Sequence, residues 1–269
     1  MTHQPPFGAY PQQPGYGQPA PFHLGEAFGW AWNKFTKNPA ATILPVLIIG
    51  VIFAVVFTAL WGSSMSAVMA GDPAAGDSVS EVDVTAGTDL FSMFVFNVIA
   101  ILLGAAFTSA YYSGALELAD GRPVTVSSFI KPRRFGAVVA VMLIIGATSS
   151  VINWLIVLPA NNSGSMALSM LASTAALVVA LGIALFTMFA VMALLDRGLS
   201  PVEALKFSIA LVRRNLGTAI VVLVTAAVIC IAGAMLCGVG ILVAAPVAML
   251  LQTYTWRKLT DGHIAPVTA

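Results

Sequence analysis

The sequence has 269 residues, of which 59% are hydrophobic and only 9% are charged, whereas soluble domains carry about 25% charged residues. So few charges cannot cover a water-exposed surface, and the mean hydropathy of +0.93 is typical of membrane proteins. Twelve Lys plus Arg against eleven Asp plus Glu give a net charge of +1. The chain therefore has no overall field that would attract nucleic acid.

The first 22 residues are rich in Pro, Gly and Gln and contain neither Lys nor Arg and no apolar run, unlike a signal peptide. This composition buries too little surface to offset its ordering entropy, so it predicts a disordered, partly polyproline-like cytoplasmic tail. A solvated tail is the favoured role, and docking to an envelope protein is the alternative. The sequence then divides into a membrane domain, 23–260, and a short cytoplasmic C-terminal tail, 261–269.

Six apolar runs follow the tail, each near or above the roughly 20 residues that a helix needs to cross a bilayer. They cover residues 41–60, 90–112, 136–158, 166–195, 217–236 and 239–256, and none contains Asp, Glu, Lys, Arg or His. The last two runs are so close that they predict a tight helical hairpin, with Gly238 and Gly240 permitting the reversal. Pro246 predicts a kink in the sixth helix.

The charges are distributed unequally between the two sides of this six-span arrangement. One side carries all twelve basic residues and six acidic ones, a charge of +6, whereas the other carries five acidic residues alone. Because Lys and Arg are enriched in cytoplasmic loops, this predicts a multi-pass plasma-membrane protein with both termini in the cytoplasm. The acidic outer loop lacks the spacing of a calcium-binding loop, so a solvated loop is favoured and no metal or cofactor is expected.

The basic loops contain a repeat. Shifting the sequence by 177 residues aligns Glu26 with Glu203 and Lys37 with Arg214. Before each basic residue the apolar side chains follow helical spacing, which predicts two amphipathic helices; Ser200 and Glu203 have the spacing of a capping box. A weaker third copy covers residues 127–134. The predicted fold is therefore an all-α bundle of six transmembrane helices, built from three units of an amphipathic helix followed by a helical hairpin.

The ends of these helices carry cations that can reach anionic lipid headgroups or partner proteins. Such residues contribute about 1 kcal/mol each at an anionic surface, and an apolar helix face beside a cationic end suits the headgroup layer. Basic loops also fix membrane orientation, so anchoring of the bundle is the favoured role and headgroup binding the alternative. The candidate residues are Lys34, Lys37, Arg133, Arg134, Arg213 and Arg214.

Two further groups of polar residues are candidate sites. Asp196 and Arg197, at the inner end of the fourth span, are the best candidates for a specific polar site. A local salt bridge or capping interaction that fixes the turn at Gly198 is the favoured alternative. Asn97 and Asn153 lie inside predicted spans, where polar side chains more often bond neighbouring helices than contact a substrate.

The sequence resembles a known family in three stretches: LGEAFGWAWNKFTKNP from Leu24, DRGLSPVEALKFSIALVRRN from Asp196 and APVAMLLQTYTWRKL from Ala245. They are similar to bacterial multi-pass proteins related to the membrane domain of glycerophosphodiester phosphodiesterases, over about residues 23–260. In that family's enzymes hydrolysis belongs to a separate barrel domain, so the resemblance implies the membrane module without the enzyme. The Pro- and Gly-rich tail resembles those of actinobacterial envelope membrane proteins. The signature loop comprises Asp196, Arg197, Gly198, Ser200 and Glu203.

Together these features predict a non-enzymatic scaffold or accessory protein of the cell envelope. Its expected partners are membrane lipids and envelope membrane proteins, with no nucleic acid. The alternative is a carrier or flippase-like transporter for a lipid-like solute, which would pass through a cleft at Asn97 and Asn153. An enzyme would require Asp196, Glu203 and His263 to converge at the inner interface.

Overall fold

The computed structural model describes residues 22–69, 86–236 and 239–267, with the side chains of 22–59, 94–236 and 239–267. The Pro-rich tail up to residue 21, residues 70–85 of the predicted outer loop, Cys237 and Gly238 lie outside these residues. The described residues form α-helices and one 3-10 helix, Val126–Phe129, and contain no β-strand. The helices are α1 Leu24–Lys37, α2 Pro39–Met69, α3 Ala86–Ala119, α4 Phe135–Asn162, α5 Met166–Thr187, α6 Ala190–Asp196, α7 Pro201–Arg214, α8 Leu216–Met235 and α9 Ile241–Leu259.

Five helical segments are long and apolar enough to cross a membrane, and they overlap the first five predicted spans. At most 33% of the most apolar part of each segment is buried within the protein. A helix that is apolar on all sides yet exposed cannot be stable in water, whereas lipid satisfies its whole surface. The segments are Pro39–Ala59, Phe94–Ala119, Phe135–Asn162, Met166–Asp196 and Leu216–Met235.

The predicted sixth span corresponds to α9, which is not among these five. Residues 241–251 are apolar, but the second half of α9 contains Gln252, Tyr254 and Arg257. These polar side chains are covered by protein: Gln252 accepts a hydrogen bond from the Tyr112 hydroxyl, and Tyr254 and Arg257 are buried. The helix packs against α1, α2, α3 and α8, and Pro246 lies within it without interrupting it. It is therefore the core helix of the bundle.

The two clear copies of the repeat have the same local structure. Helices α1 and α7 each have 14 residues, and each ends at an asparagine with similar backbone angles: φ −134° and ψ 49° at Asn38, φ −128° and ψ 39° at Asn215. Each asparagine donates from Nδ2 to the carbonyl oxygen four residues earlier, at 3.1 Å to Lys34 and 3.0 Å to Leu211. The next helix, α2 or α8, begins at the following residue. The same asparagine turn thus joins a surface helix to a long apolar helix twice.

The third copy does not contain the predicted amphipathic helix. Between α3 and α4 the chain forms only the 3-10 helix Val126–Phe129. Pro123 and Pro132 bracket this segment, and proline disfavours an α-helix both at its own position and at the preceding one. The buried Phe129 packs edge-on against Tyr111, with ring centroids 5.1 Å apart. One aromatic side chain therefore anchors this connection where the other copies use a whole helix.

The fourth predicted span is broken near its C-terminal end into α5 and α6. The backbone N–H of Phe189 donates to Ser208 Oγ at 3.2 Å, and Ser208 Oγ donates to the carbonyl oxygen of Phe186 at 2.8 Å. Insertion of a side chain into the hydrogen-bond ladder is a common cause of such breaks. Because Ser208 belongs to α7, this amphipathic helix fixes the C-terminal end of the fourth predicted span.

Helices α8 and α9 form a close hairpin. A Cβ atom on Gly240 would lie 2.5 Å from the carbonyl oxygen of Gly233, and one on Gly233 would lie 2.6 Å from the Cβ of Ala244. Neither distance is compatible with a side chain. The hairpin thus depends on two glycines facing each other, of which the sequence indicated Gly240.

Candidate functional site: the basic end of the bundle

The basic end of the bundle is formed by α1, the segment 120–134, helices α6 and α7, and the chain from Trp256 to Val267. At its centre Arg257 contacts two carboxylates: Nη2 lies 2.6 Å from Asp120 Oδ1, and Nη1 lies 3.2 Å from Asp196 Oδ1. Trp256 Nε1 donates to Asp196 Oδ2 at 2.9 Å. Only 10% of the Arg257 side chain is exposed. These contacts, which we call the Arg257 junction, connect the C-terminal ends of α3, α6 and α9.

The junction changes the interpretation of Asp196 and Arg197. The expected local salt bridge is absent from the ion pairs of the described residues, because Asp196 binds Arg257, 61 residues away. The Arg197 guanidinium instead lies over the rings of Phe207 and Trp256, 4.5 Å and 5.8 Å from their centroids, in cation–π geometry. Asp196 therefore contacts α9, whereas Arg197 contacts both α7 and α9.

Arg134 acts as a structural residue. It adopts a left-handed backbone conformation, with φ 51°, directly before α4. Its Nη1 donates to the carbonyl oxygens of Leu194 at 2.6 Å and Leu199 at 2.9 Å, on either side of Gly198, where φ is 68°. The guanidinium thus stabilises the turn that the sequence identified as a signature loop, which leaves fewer of its donors available to a headgroup.

Lys34 is also used within the protein. The Nζ atom donates to the carbonyl oxygen of Pro266 at 2.8 Å and lies 5.9 Å from the centroid of Trp30, and burial lowers the pKa of Lys34. Trp30 Nε1 donates to the carbonyl oxygen of Ala265 at 2.8 Å, and the N–H of Ala265 donates to Ala119 at 2.7 Å. Part of the predicted C-terminal tail is therefore packed against α1 and α3.

The other candidate cations are exposed. Arg133 Nη1 lies 3.5 Å from Glu117, with 60% of the Arg133 side chain exposed, so this pair is weak. Lys37 ends α1, and Arg213 and Arg214 end α7. Among the described residues, neither Arg213 nor Arg214 forms an ion pair with a carboxylate. Among the six candidate cations, these two arginines are thus well placed to bind an external anion.

The start of α7 has the predicted capping box. Ser200 Oγ accepts from the backbone N–H of Glu203 at 3.4 Å, and Glu203 Oε2 accepts from the N–H of Ser200 at 3.0 Å and from its hydroxyl at 2.7 Å. These hydrogen bonds to the ionised carboxylate lower the pKa of Glu203. The Glu203 carboxylate is therefore engaged in helix capping.

The remaining candidates lie apart from the Arg257 junction. Asn153 is exposed on α4, where it lines a depression of about 400 Å³ with Ser149, Ser150 and Trp154. Asn97 is exposed on α3. The residues considered for an enzyme have separate surroundings, because the carboxylates of Asp196 and Glu203 bind different partners and His263 is exposed.

Sequence reasoning missed the Arg257 junction. A signal was nevertheless present: Asp196 and Arg257 directly follow predicted spans that return to the basic side, and Asp120 lies eight residues after another such span. Two acids and one base at equivalent positions of three hairpins indicate mutual neutralisation. The missing information was that the three hairpin ends meet.

Comparison with known proteins gives one clear relationship. The chain is 31% identical over 262 residues to "Uncharacterized protein Rv2560" of Mycobacterium tuberculosis, and the alignment covers 94% of this chain and 74% of that protein. "Uncharacterized protein Mb2590" of Mycobacterium bovis matches with the same identity and coverage. The chain belongs to this mycobacterial family. No protein-family model and no solved structure matches it, so the resemblance to the phosphodiesterase membrane domain stays a prediction.

Proposed function

We propose that this protein crosses the plasma membrane six times, with both termini in the cytoplasm, and serves as a non-enzymatic scaffold of the cell envelope. The basic end would present α1 and α7 to anionic lipids and to partner membrane proteins. The observation that carries this proposal is the Arg257 junction, which fixes three helix ends relative to one another.

The positions of the helix ends support six passes. Asp120 follows α3, Asp196 ends α6, and Arg257 lies in the last turn of α9. Their side chains are in direct contact through Arg257, which supports a placement of the three helix ends on one side of the membrane. In that arrangement each hairpin leaves this side and returns to it. The proposed sixth pass is α9, although its composition alone does not identify it as a span.

The exposed surface of α1 supports a scaffold. Phe28 and Trp32 are 40% and 46% exposed and stack with ring centroids 6.4 Å apart. They lie on the helix beside the buried Trp30, which holds α1 against the C-terminal segment. Aromatic side chains of this kind are enriched at membrane interfaces and at protein interfaces. A fixed helix that presents them, with Lys37 at its end, suits recruitment of another membrane component.

The topology can be tested by cysteine labelling in a chain whose Cys230 and Cys237 are replaced by serine. His263→Cys, close to the Arg257 junction, should react with an impermeant maleimide only after the cells are broken open. Asp77→Cys, in the outer loop, should react in intact cells. The opposite pattern, or labelling of both positions in intact cells, would contradict six passes with a cytoplasmic basic end.

The scaffold can be tested by photo-crosslinking in the intact membrane. A crosslinkable amino acid at Phe28 or Val202 reports on the basic end, and one at Val151, exposed on α4, is the matched lipid-facing control. We expect the same membrane proteins to be crosslinked from Phe28 and Val202 but not from Val151. A chain that starts at His23 measures the contribution of the tail. Crosslinks to lipid alone from all three positions would refute the scaffold.

One observation favours the alternative, a carrier for a lipid-like solute. An apolar groove of about 550 Å³ opens between α4, α5 and α7. A carrier for an apolar solute needs such a surface and no buried charge. Reconstituted vesicles distinguish the two functions, because a carrier accelerates lipid exchange between leaflets and a scaffold leaves it at the rate of protein-free vesicles.

A further inference from the structure

The groove between α4, α5 and α7 has walls of uniform chemistry. Ile144 on α4, Ile183 and Phe186 on α5, and Leu205 and Ile209 on α7 contribute apolar side chains. Two hydroxyls also line it, but each is satisfied within its own helix: Thr148 Oγ1 donates to Ile144 at 2.8 Å, and Thr187 Oγ1 donates to Ile183 at 2.7 Å. The wall therefore favours hydrocarbon over water.

One end of the groove is cationic. Leu205, Ile209 and Arg213 follow one another at intervals of four residues along α7, so they form a single stripe on the helix surface. Arg213 lines the groove and is exposed, and it forms no ion pair among the described residues. The stripe thus changes from apolar to cationic at the end of α7, as a phospholipid changes from acyl chain to phosphate.

The length and the charge of the groove favour a lipid. Val179 and Thr187 line the groove eight residues apart on α5, a distance of about 12 Å along the helix. An apolar groove of this length that ends at an arginine matches an acyl chain that ends at a phosphate.

We propose that this groove binds one anionic phospholipid of the inner leaflet, with an acyl chain between α4, α5 and α7 and its phosphate on the Arg213 guanidinium. Arginine suits this role because its planar group binds phosphate oxygens in pairs. The proposal rests on the six-pass arrangement, which brings α7 to the cytoplasmic headgroup layer. It adds a defined lipid class and a defined binding site to the proposed scaffold.

Native mass spectrometry of the purified full chain tests the site directly. The chain is titrated with phosphatidylglycerol and, in parallel, with phosphatidylcholine of the same acyl chains or with inorganic phosphate. We expect one phosphatidylglycerol to be retained in preference to phosphatidylcholine. Arg213→Gln should weaken its binding about fivefold, whereas the adjacent Arg214→Gln, outside the groove, should have a smaller effect.

A second pair of variants tests the acyl chain. A Cβ on Gly182, which lines the groove, meets no atom within 4 Å, and the same holds for Gly146 on α4, which does not line it. Gly182→Phe should therefore obstruct the groove and weaken lipid retention, whereas Gly146→Phe should preserve it. Unchanged retention in Gly182→Phe, equal binding of phosphatidylcholine, or full displacement by inorganic phosphate would each overturn the proposal. None of these outcomes alters the labelling of His263→Cys, so failure of the site and failure of the topology are distinguishable.

Discussion

Replacement of Arg257 is the most direct test of the Arg257 junction. Arg257→Gln removes the cation that neutralises Asp120 and Asp196 and leaves a shorter, uncharged polar side chain. The two carboxylates are 27% and 19% exposed, so water can solvate them only in part. Trp256 Nε1 still donates to Asp196, which retains one of the contacts of that carboxylate.

The expected loss of stability follows from this burial. Removal of one partner of a buried ion pair typically costs about 3–5 kcal/mol, because it leaves an uncompensated charge. Residual exposure of both carboxylates and the remaining Trp256 hydrogen bond place the expected cost at the lower end, about 3 kcal/mol. Arg133→Gln is the matched control, since its pair with Glu117 has one strongly exposed partner, and it should cost less than about 1 kcal/mol.

Equilibrium unfolding of the purified variants in mixed micelles measures both free energies. If the charge argument is correct, adding Asp120→Asn and Asp196→Asn to Arg257→Gln should recover part of the lost stability, because no buried charge then lacks a partner. A cost below 1 kcal/mol, or one equal to that of Arg133→Gln, would refute the reasoning. If the triple variant recovers no stability, the loss in Arg257→Gln comes from packing of the arginine stem.

Three further outcomes are expected. Gly114→Ala should cost about 1–3 kcal/mol in the same unfolding measurement, because its Cβ would lie 2.7 Å from the Phe129 ring, whereas Gly104→Ala, with its nearest atom at 4.0 Å, should be tolerated. Ser200→Ala should weaken α7 by about 1 kcal/mol, measured by hydrogen exchange; unchanged exchange would make the cap irrelevant. Because the capping hydrogen bonds lower the pKa of Glu203 from 4.5, the ionised cap stabilises α7 above that pH and loses this effect as the pH falls through the lowered pKa. The exchange difference between Ser200→Ala and the unaltered chain should therefore shrink in acid.

Local features of the fold could be predicted from the sequence where a short pattern determines them. The capping box needs only Ser200 and Glu203 at the correct spacing, and both hydrogen bonds form. The two copies of the repeat, offset by 177 residues, aligned the ends of α1 and α7 because the same asparagine turn closes both helices. The amphipathic helix predicted for the third copy does not form, because Pro123 and Pro132 oppose a helix more strongly than the weak apolar pattern favours one.

The candidate site could be predicted only in part because its contacts are distant in sequence. Arg257 binds partners 137 and 61 residues away, and no local pattern specifies such a pair. The sequence did not indicate which basic residues are exposed either. Lys34 and Arg214 both lie in the last turn of a repeated helix, yet Lys34 is buried under the C-terminal segment and Arg214 is exposed.

Helix α9, the sixth predicted span, illustrates why hydropathy alone does not identify every span. A scale of this kind measures whether lipid can solvate a segment, so it identifies helices that face the bilayer. Helix α9 is instead surrounded by α1, α2, α3 and α8, and its polar residues are satisfied by protein: Gln252 by Tyr112, and Arg257 by Asp120 and Asp196. The side chains that lower its hydropathy are therefore those that hold the bundle together. On the proposed six-pass arrangement, the helix least suited to lipid is the one that the other helices shield from it.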